Sequence, residues 1–336
     1  MSAKIKVLII GGTGIISSDV TILAAQRPDI DLYVLNRGLR PSFLPPNIKT
    51  IQVDIYDDAA VRAKLEGMTF DVICDFISSA LEALEPKLAL FNGCFQQYVY
   101  VSSVAAYRPG GHTVITEENT RIGNPFWDYG RNKTLCEKRV AEFCEASHAD
   151  YTIVRPAYTC NHIRLFNPYT ISHWESWTFF DRLLRGKPYV LPDDGQYLCT
   201  VTHTIDFAKA FVGLWGNPAA LNKDFHITSS EYLTWKRVVE IEAEVLGVKP
   251  VFCFVPAEQL YFDWGAVAGQ KIMCETFHQC YDSSKVRKAV PDFVCTVPFA
   301  EGVRRALEFY RANPEFQKIN AEWNKNFDRA SARFGQ

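Results

Sequence analysis

Residues 4–18 read KIKVLIIGGTGIISS, and the rest of the chain is organised around them. The apolar run from Ile5 to Ile10 is closed by Gly11, Gly12 and Gly14. A short apolar run bounded by glycines reads as a buried parallel strand. Helix-compatible residues follow from Ser17 to Gln26. The stretch therefore predicts strand, tight turn, helix. Gly11 and Gly14 let the backbone turn sharply and approach a pyrophosphate, which the free amides of the next helix then face. Ser17 stands where a dinucleotide fingerprint has Gly or Ala, and it is small enough for close strand–helix packing. An ordinary glycine turn at a strand end has the same local pattern, so the motif needs partners elsewhere in the chain.

Those partners follow in order. Asp31–Asn36 reads as a second strand, followed by a Pro-rich loop that cannot stay helical for long. Ile48–Val53 is a third strand ending at Asp54, and Asp57–Glu66 a helix with an aspartate-rich start that suits the helix dipole. Phe70–Phe76 is a fourth strand, Ala80–Phe91 a helix broken near Pro86, and Gln97–Ser102 a fifth strand. Strands alternating with helices imply a parallel sheet with right-handed crossovers, whose ligands bind at the strands' carboxyl ends. Gly11, Asn36, Asp54, Asp75 and Ser103 all fall at or just past such ends. A long helix, Trp127–Ser147, and a strand, Tyr151–Arg155, complete a first unit of residues 1–158.

After Pro156 the alternation weakens. Short strands at Tyr189–Pro192 and Asp224–Thr228 mix with helices at Trp174–Arg185, Asp206–Trp215 and Thr234–Leu246. Residues 159–336 read as a smaller substrate-binding lobe closing over the strand ends, with some segments expected to return to the sheet. The tail beyond Pro314 reads as a polar and aromatic surface helix. The expected fold is α/β, a Rossmann-type doubly wound parallel sheet with this smaller lobe.

The bulk numbers fit that reading. The 336 residues are 48% hydrophobic, enough for a sizeable core, and the net charge is −2. No basic stripe predicts a nucleic-acid or anionic-membrane partner. The start, MSAKIKV, lacks a signal-peptide pattern, and the apolar run after it is too short to span a bilayer. Ten scattered cysteines suit a reduced, cytoplasmic setting. Cys274, His278 and Cys280 are the nearest approach to a metal cluster, but no C-x-x-C accompanies them, and no metal site is expected.

Tyr129 and Lys133 are four residues apart, so on a helix they share a face. An ammonium beside a phenol favours the phenolate, and a tyrosine tuned in that way works as a general acid/base on a hydroxyl or carbonyl. The same spacing also occurs as plain surface decoration. Here it follows the glycine turn and Ser102-Ser103, and Ser103 is placed to hydrogen-bond the same reacting oxygen. A dinucleotide on the glycine turn would exchange hydride, because side chains offer no redox centre.

With GGTGIIS (Gly11–Ser17), VDIYD (Val53–Asp57), YVSSVAAY (Tyr100–Tyr107), YGRNK (Tyr129–Lys133), VRPAY (Val154–Tyr158), THTIDFAKA (Thr202–Ala210) and YDSSKVRKAVPDF (Tyr281–Phe293) in order, the chain resembles a known family. It is similar to the extended short-chain dehydrogenases/reductases of the NAD-dependent epimerase/dehydratase type, over about Ile5 to Tyr310. The resemblance implies a catalytic Ser103, Tyr129 and Lys133. It implies cofactor contacts from Gly11, Gly12, Thr13, Gly14, Ile15, Ile16, Asn36, Arg37, Asp54, Ile55, Asp75, Phe76, Ile77, Lys133 and Pro156. It also implies a homodimer through the helices matching Ala80–Phe91 and Trp127–Ser147.

The departures shape the expected chemistry. Val104 and Ala105 replace the Asp-Glu pair of the 4,6-dehydratases, which argues against that elimination. Cys199 stands where many nucleotide-sugar epimerases carry a phosphate-binding arginine. Arg164, ahead of Arg182 and Arg185, is the nearest substitute cation; Ser103, Tyr129, Arg164 and Cys199 form the expected substrate set. Arg164 as an exposed loop charge is the alternative, and Arg182, Arg185 and Lys187 read mainly as a solvated face. NAD-specific sheets usually end the second strand in Asp or Glu, whereas Asn36, Arg37 and the nearby Arg40 lean towards NADP. His203 and Asp206 read as a structural junction, and Trp174, Trp177, Phe179 and Phe180 as either pocket lining or core. The expected activity is NAD(P)-dependent epimerisation or oxidoreduction of a sugar or nucleotide sugar at a secondary alcohol or ketone. The alternatives are a reductase of non-nucleotide ketones and a non-catalytic RNA-binding relative, as chloroplast stem-loop RNA-binding proteins also share this scaffold.

Overall fold

A computed structural model describes residues 4–39, 44–45, 48–169 and 172–335. The chain begins β1 (Ile5–Ile10), α1 (Ile15–Ala25), β2 (Ile30–Asn36), β3 (Lys49–Gln52), α2 (Asp58–Leu65), β4 (Phe70–Asp75), α3 (Leu81–Leu90) and β5 (Phe95–Val101). It continues with β6 (Val114–Ile115), α4 (Asp128–Ser147), β7 (Asp150–Pro156), β8 (Tyr158–Cys160), α5 (Trp177–Leu184), β9 (Tyr189–Pro192), β10 (Leu198–His203), α6 (Thr204–Gly213) and β11 (Lys223–Ile227). Then come β12 (Tyr232–Thr234), α7 (Trp235–Leu246), β13 (Phe252–Val255), α8 (Ala257–Asp263), α9 (Gly265–Glu275), β14 (Cys280–Tyr281), α10 (Ser284–Ala289), α11 (Phe299–Ala312) and α12 (Ala321–Phe334).

Seven parallel strands form the main sheet in the order β11-β7-β5-β4-β1-β2-β3. Strand side chains alternate between faces, and both faces here are apolar. Val7, Ile9, Val34, Val72 and Val99 pack with α1 and α6 on one side; Leu8, Ile10, Ile73, Tyr98 and Tyr100 pack with α3 and α4 on the other. Burial on both faces accounts for the continuous apolar run of β1. Helix α3 runs unbroken through Pro86, with Leu84 and Leu88 fully buried, so packing outweighs the backbone bond that a proline cannot make.

The second lobe has its own core around Phe166, Tyr169, Phe179, Tyr189, Trp235 and Phe327. A three-stranded sheet, β12-β10-β8, and the β13-β9 pair supply its strands. Although residues 204–227 follow the lobe's first segments, they return to the large sheet, where α6 packs on α1 and β11 pairs with β7. The tail is more than a surface helix: α12 buries Phe327 and Ala330 in the lobe core, with Trp323 stacked near Tyr169 and Trp264. Trp177, Phe179 and Phe180 belong to the same core. Among the described residues no helix is long and apolar enough to cross a membrane.

Candidate functional site

The carboxyl ends of the central strands open onto a cavity of about 830 Å³. At the end of β1, Gly11 adopts φ +84°, and a Cβ there would lie 2.4 Å from Ile77 Cγ2. Both facts demand glycine. The turn is locked by hydroxyls of α1. Ser17 Oγ donates to Gly11 O (2.6 Å) and accepts from Gly14 N (2.8 Å), while Thr21 Oγ1 donates to Gly12 O (3.0 Å). Ser17 is thus a clasp as well as a small packing residue. The first-turn amides of a helix lack intrahelical acceptors, and Thr13, Gly14, Ile15 and Ile16 line the cavity there. Gly12 faces away from it, and a Cβ would meet Val34 Cγ1 at 2.8 Å. Its contribution is close packing.

Asn36, Arg37, Asp54, Ile55, Phe76, Ile77 and Pro156 line the same cavity. Asn36 Oδ1 accepts from Gly38 N at 2.8 Å, and Asp54 Oδ1 from Tyr56 N at 3.2 Å. Arg40 lies outside the described residues. Asp75 corrects the sequence reading. Its side chain is fully buried, and its oxygens accept from Ile77 N (2.9 Å), Ser78 N (3.1 Å), Tyr98 OH (2.9 Å) and Ser78 Oγ. A carboxylate with every lone pair engaged beneath the strand end shapes the cavity wall without lining it.

Ser103 caps the short turn Val104–Ala106, its Oγ accepting from Ala105 N at 3.1 Å. Helix α4 crosses this turn at Gly130, where a Cβ would lie only 2.2 Å from Ala105 O. Asn124 ties both pieces together: Nδ2 donates to Ala105 O (2.9 Å) and Oδ1 accepts from Phe126 N (2.9 Å) and Trp127 N (3.2 Å). That close approach puts Ser103 within hydrogen-bonding reach of Tyr129. Sequence reasoning missed Gly130 and Asn124, although a glycine inside a helix between Tyr129 and Lys133 was a usable signal.

Lys133 Nζ donates to Ser78 O (2.7 Å) and Val101 O (2.8 Å), lies 5.8 Å from the Tyr129 ring centre, and burial lowers its pKa to about 8. Burial raises the Tyr129 pKa, opposed by Ser103 and by Arg164. Lys133 thus reaches Tyr129 over its ring and not through a hydrogen bond to its hydroxyl. Lys133's ammonium is turned onto two carbonyls, and the charge of Arg164 also acts to lower the Tyr129 pKa against the larger effect of burial.

Arg164 lines the second-lobe end of the cavity, half-buried. Cys199 does not. It is fully buried on β10, the middle strand of its sheet, with Sγ donating to Leu233 O at 3.2 Å. Tyr158, Lys271 and Gln279 line this end instead. Lys271 Nζ donates to Pro168 O (2.7 Å) and Glu275 Oε1 (2.8 Å), Tyr158 OH donates to Glu275, and Gln279 Nε2 donates to Tyr158 OH (3.2 Å). The i,i+4 spacing of Lys271 and Glu275 was the only sequence signal for this group.

Elsewhere, His203 caps α6 through Nδ1 (Ile205 N, 3.2 Å), and Asp206 anchors Thr296 N and Val297 N, both at 2.9 Å. Arg182 is buried, not solvated: it donates to Pro188 O (2.8 Å), Asn324 Oδ1 (3.0 Å) and Asp328 Oδ1 (2.9 Å), away from the cavity. Arg185 is exposed and pairs with Asp181 at 2.8 Å. Cys274 and His278 line the cavity, and Cys280 is buried on β14. Among the described residues no three His, Cys, Asp or Glu side chains cluster as metal ligands do.

The family model described as the NAD dependent epimerase/dehydratase family matches residues 7–227. A chloroplast stem-loop binding protein of 41 kDa from Arabidopsis thaliana is 26% identical over 258 residues, 73% of this chain and 64% of that protein. The chain spans less than two thirds of the length of the curated relatives it matches. An epimerase from Methanothermobacter thermautotrophicus superposes with a TM-score of 0.73 at 18% identity, covering 94% of each chain. UDP-glucuronic acid 4-epimerase from Bacillus cereus, solved with UDP-glucuronic acid and NAD, superposes with a TM-score of 0.70 at 13% identity, covering 92% of this chain and 99% of that one.

Proposed function

The chain belongs to the NAD-dependent epimerase/dehydratase family, and on that premise we propose that it is an NAD(P)-dependent epimerase or reductase acting on a secondary alcohol or ketone of a sugar or nucleotide sugar. The observation that carries this reading is the convergence of Ser103, Tyr129 and Lys133 on the cavity that begins at the glycine turn. The residues fit a dinucleotide. Gly11, Thr13, Gly14, Ile15 and Ile16 form an anion-facing helix start, and Asn36, Arg37, Asp54 and Ile55 surround the adenosine end. When bound, the nicotinamide supplies the hydride chemistry that side chains lack.

The chain's own residues handle the proton. Tyr129 takes the hydroxyl proton of the substrate, or returns it to the ketone oxygen. Ser103 hydrogen-bonds the same oxygen and holds it against the phenol. Lys133, fixed between Ser78 O and Val101 O, places its charge at the junction of cofactor and substrate. Arg164 favours the phenolate. Val104 and Ala105 offer no acid or base for elimination.

NADP is the slightly favoured cofactor. Asn36 is neutral and its Oδ1 is occupied by Gly38 N, so the end of β2 has no carboxylate to repel a 2′-phosphate, and Arg37 lines the cavity beside it. The NAD in the Bacillus cereus enzyme points the other way. Calorimetric titration with both cofactors separates them, and clearly tighter NAD binding rejects the preference. By the same family premise the enzyme is a homodimer through α3 and α4; its scattered cysteines and net charge of −2 suit a cytoplasmic setting without a membrane or nucleic-acid partner. Light scattering in solution tests the dimer.

The decisive experiment follows turnover and cofactor together. An epimerase shows no net cofactor consumption, whereas a reductase consumes reduced cofactor one for one. In either case Tyr129→Phe should keep the fold and lower the rate by about 10²–10⁴-fold; near-full turnover would reject the mechanism. The similarity to the Arabidopsis stem-loop binding protein favours a second reading, binding of structured RNA. Filter binding of a stem-loop RNA across a salt series would reveal it as affinity falling steeply with salt.

A further inference from the structure

Five cationic side chains line the cavity, Arg37, Arg108, Lys133, Arg164 and Lys271, while among the lining residues Asp54 is the only carboxylate. Asp54 sits at the dinucleotide end, so the substrate end has no lining counter-charge. Lys133 and Lys271 are committed to protein acceptors. Arg37 and Arg108 are exposed to solvent. Arg164 differs from both groups: it is half-buried, and its guanidinium makes no hydrogen bond or ion pair with any described residue.

The loop that carries it is nonetheless tightly held. Asn161 Oδ1 accepts from Ile163 N and Arg164 N, both at 2.9 Å, and Asn161 Nδ2 donates to Ile15 O at 3.2 Å, tying the loop to the start of α1. Tyr310 OH donates to Ile163 O at 2.5 Å. A guanidinium stays protonated at any physiological pH, and a partly desolvated charge without an acceptor is costly. A rigid backbone holding such a charge in a cavity is a preorganised anion receptor. Arg164 and Tyr129 line the same cavity, so an anion held by Arg164 shares that cavity with the group on which Tyr129 acts.

We propose that Arg164 receives an anionic group, carboxylate or phosphate, that the substrate bears close to the carbon on which Tyr129 acts, and that the enzyme thereby selects acidic over neutral substrates. This deepens the oxidoreductase reading above and rests on it. Arginine's planar fork suits either oxyanion.

The test titrates the protein, with and without bound cofactor, against matched probes. These are UDP-glucuronate with UDP-glucose, glucuronate with glucose, glucose 6-phosphate with glucose, and UDP alone. In the wild type the acidic member of at least one pair should bind roughly 10- to 100-fold tighter, as expected for a charge-assisted hydrogen bond. In Arg164→Gln that ratio should fall to near one, with neutral-probe and cofactor affinities unchanged, and Arg164→Lys should restore part of it. The glucuronate and phosphate pairs tell which oxyanion is read.

Three results would overturn the proposal: no acid preference in any pair, a preference that survives Arg164→Gln, or a loss for UDP alone as large as that for UDP-glucuronate. A turnover pH profile that moves in Arg164→Gln while the acid ratio stays put would also overturn it, by making Arg164 a partner of Tyr129 alone. Failure of cofactor binding, with acid preference still lost in Arg164→Gln, would strike the oxidoreductase reading and leave the anion receptor standing.

Discussion

The two ends of the cavity are built in opposite ways. At the dinucleotide end, the turn itself is closed by near neighbours: Ser17 on Gly11 and Gly14, and Asn36 on Gly38. In the second lobe polar groups reach across the chain. Lys271 meets Pro168, 103 residues away; Tyr158 meets Glu275, 117 away; Arg182 meets Asp328, 146 away. A local bond needs only the right residue at the right spacing, whereas a distant one needs the lobe already assembled. The first end is therefore set by a local motif, and the second is a product of cooperative packing.

The comparison can be broken most forcefully at Arg182. Arg182→Ala removes a buried guanidinium that joins α5 to α12 and packs on Phe327, and it leaves Pro188 O without its donor. Losing that packing and those hydrogen bonds costs about 2–5 kcal/mol, so urea unfolding should show the second lobe weakened while cofactor affinity changes little. Equal loss at both ends would mean that the lobes are not built separately. Gly130→Ala tests the crossing between the two ends. Its Cβ would meet a backbone oxygen at 2.2 Å, and backbone cannot swing aside. A stability loss of about 1–3 kcal/mol is expected, and turnover should fall further, because Ser103 and Tyr129 are driven apart. An active, stable variant would show that the crossing of α4 over the Val104–Ala106 turn is not what aligns them.

The pH dependence sharpens the picture. Burial lowers the pKa of His203 and of His226 from 6.5 to about 4, so between those values the unfolded chain binds more protons. Stability should fall as pH decreases from 6.5 towards 4, by an amount of order 1–3 kcal/mol. Burial raises Glu117 from 4.5 to about 7, which has the opposite sign: its folded form binds more protons, and stability is gained as pH falls through that range. Glu117→Gln should therefore steepen the acid loss and His203→Gln flatten it, both read from denaturation midpoints between pH 4 and 7. The smallest effect belongs to Arg185→Ala, whose ion pair with Asp181 has its guanidinium 63% exposed. It should stay within about 0.5 kcal/mol, beside the large loss at Arg182 three residues earlier. Parity between the two would contradict the contrast.

Period and punctuation determined the parallel sheet, the glycine turn and the long helix bearing Tyr129 and Lys133, while the resemblance of seven motifs in order supplied the family. Each depends on residues a few positions apart, where spacing translates directly into geometry. Tertiary structure decided the rest. Asp75 and Cys199 turned inward because their strands are covered on the faces they point to, and neither face could be read from one strand. Lys133 turned to the carbonyls of Ser78 and Val101, which come from two other strand ends, so its neighbours were set by sheet order and not by its distance from Tyr129. Arg182 was drawn into a core completed by α12, while Arg164 was left facing the cavity without a partner. A charge's role depends on which distant groups reach it, and only the folded chain settles that.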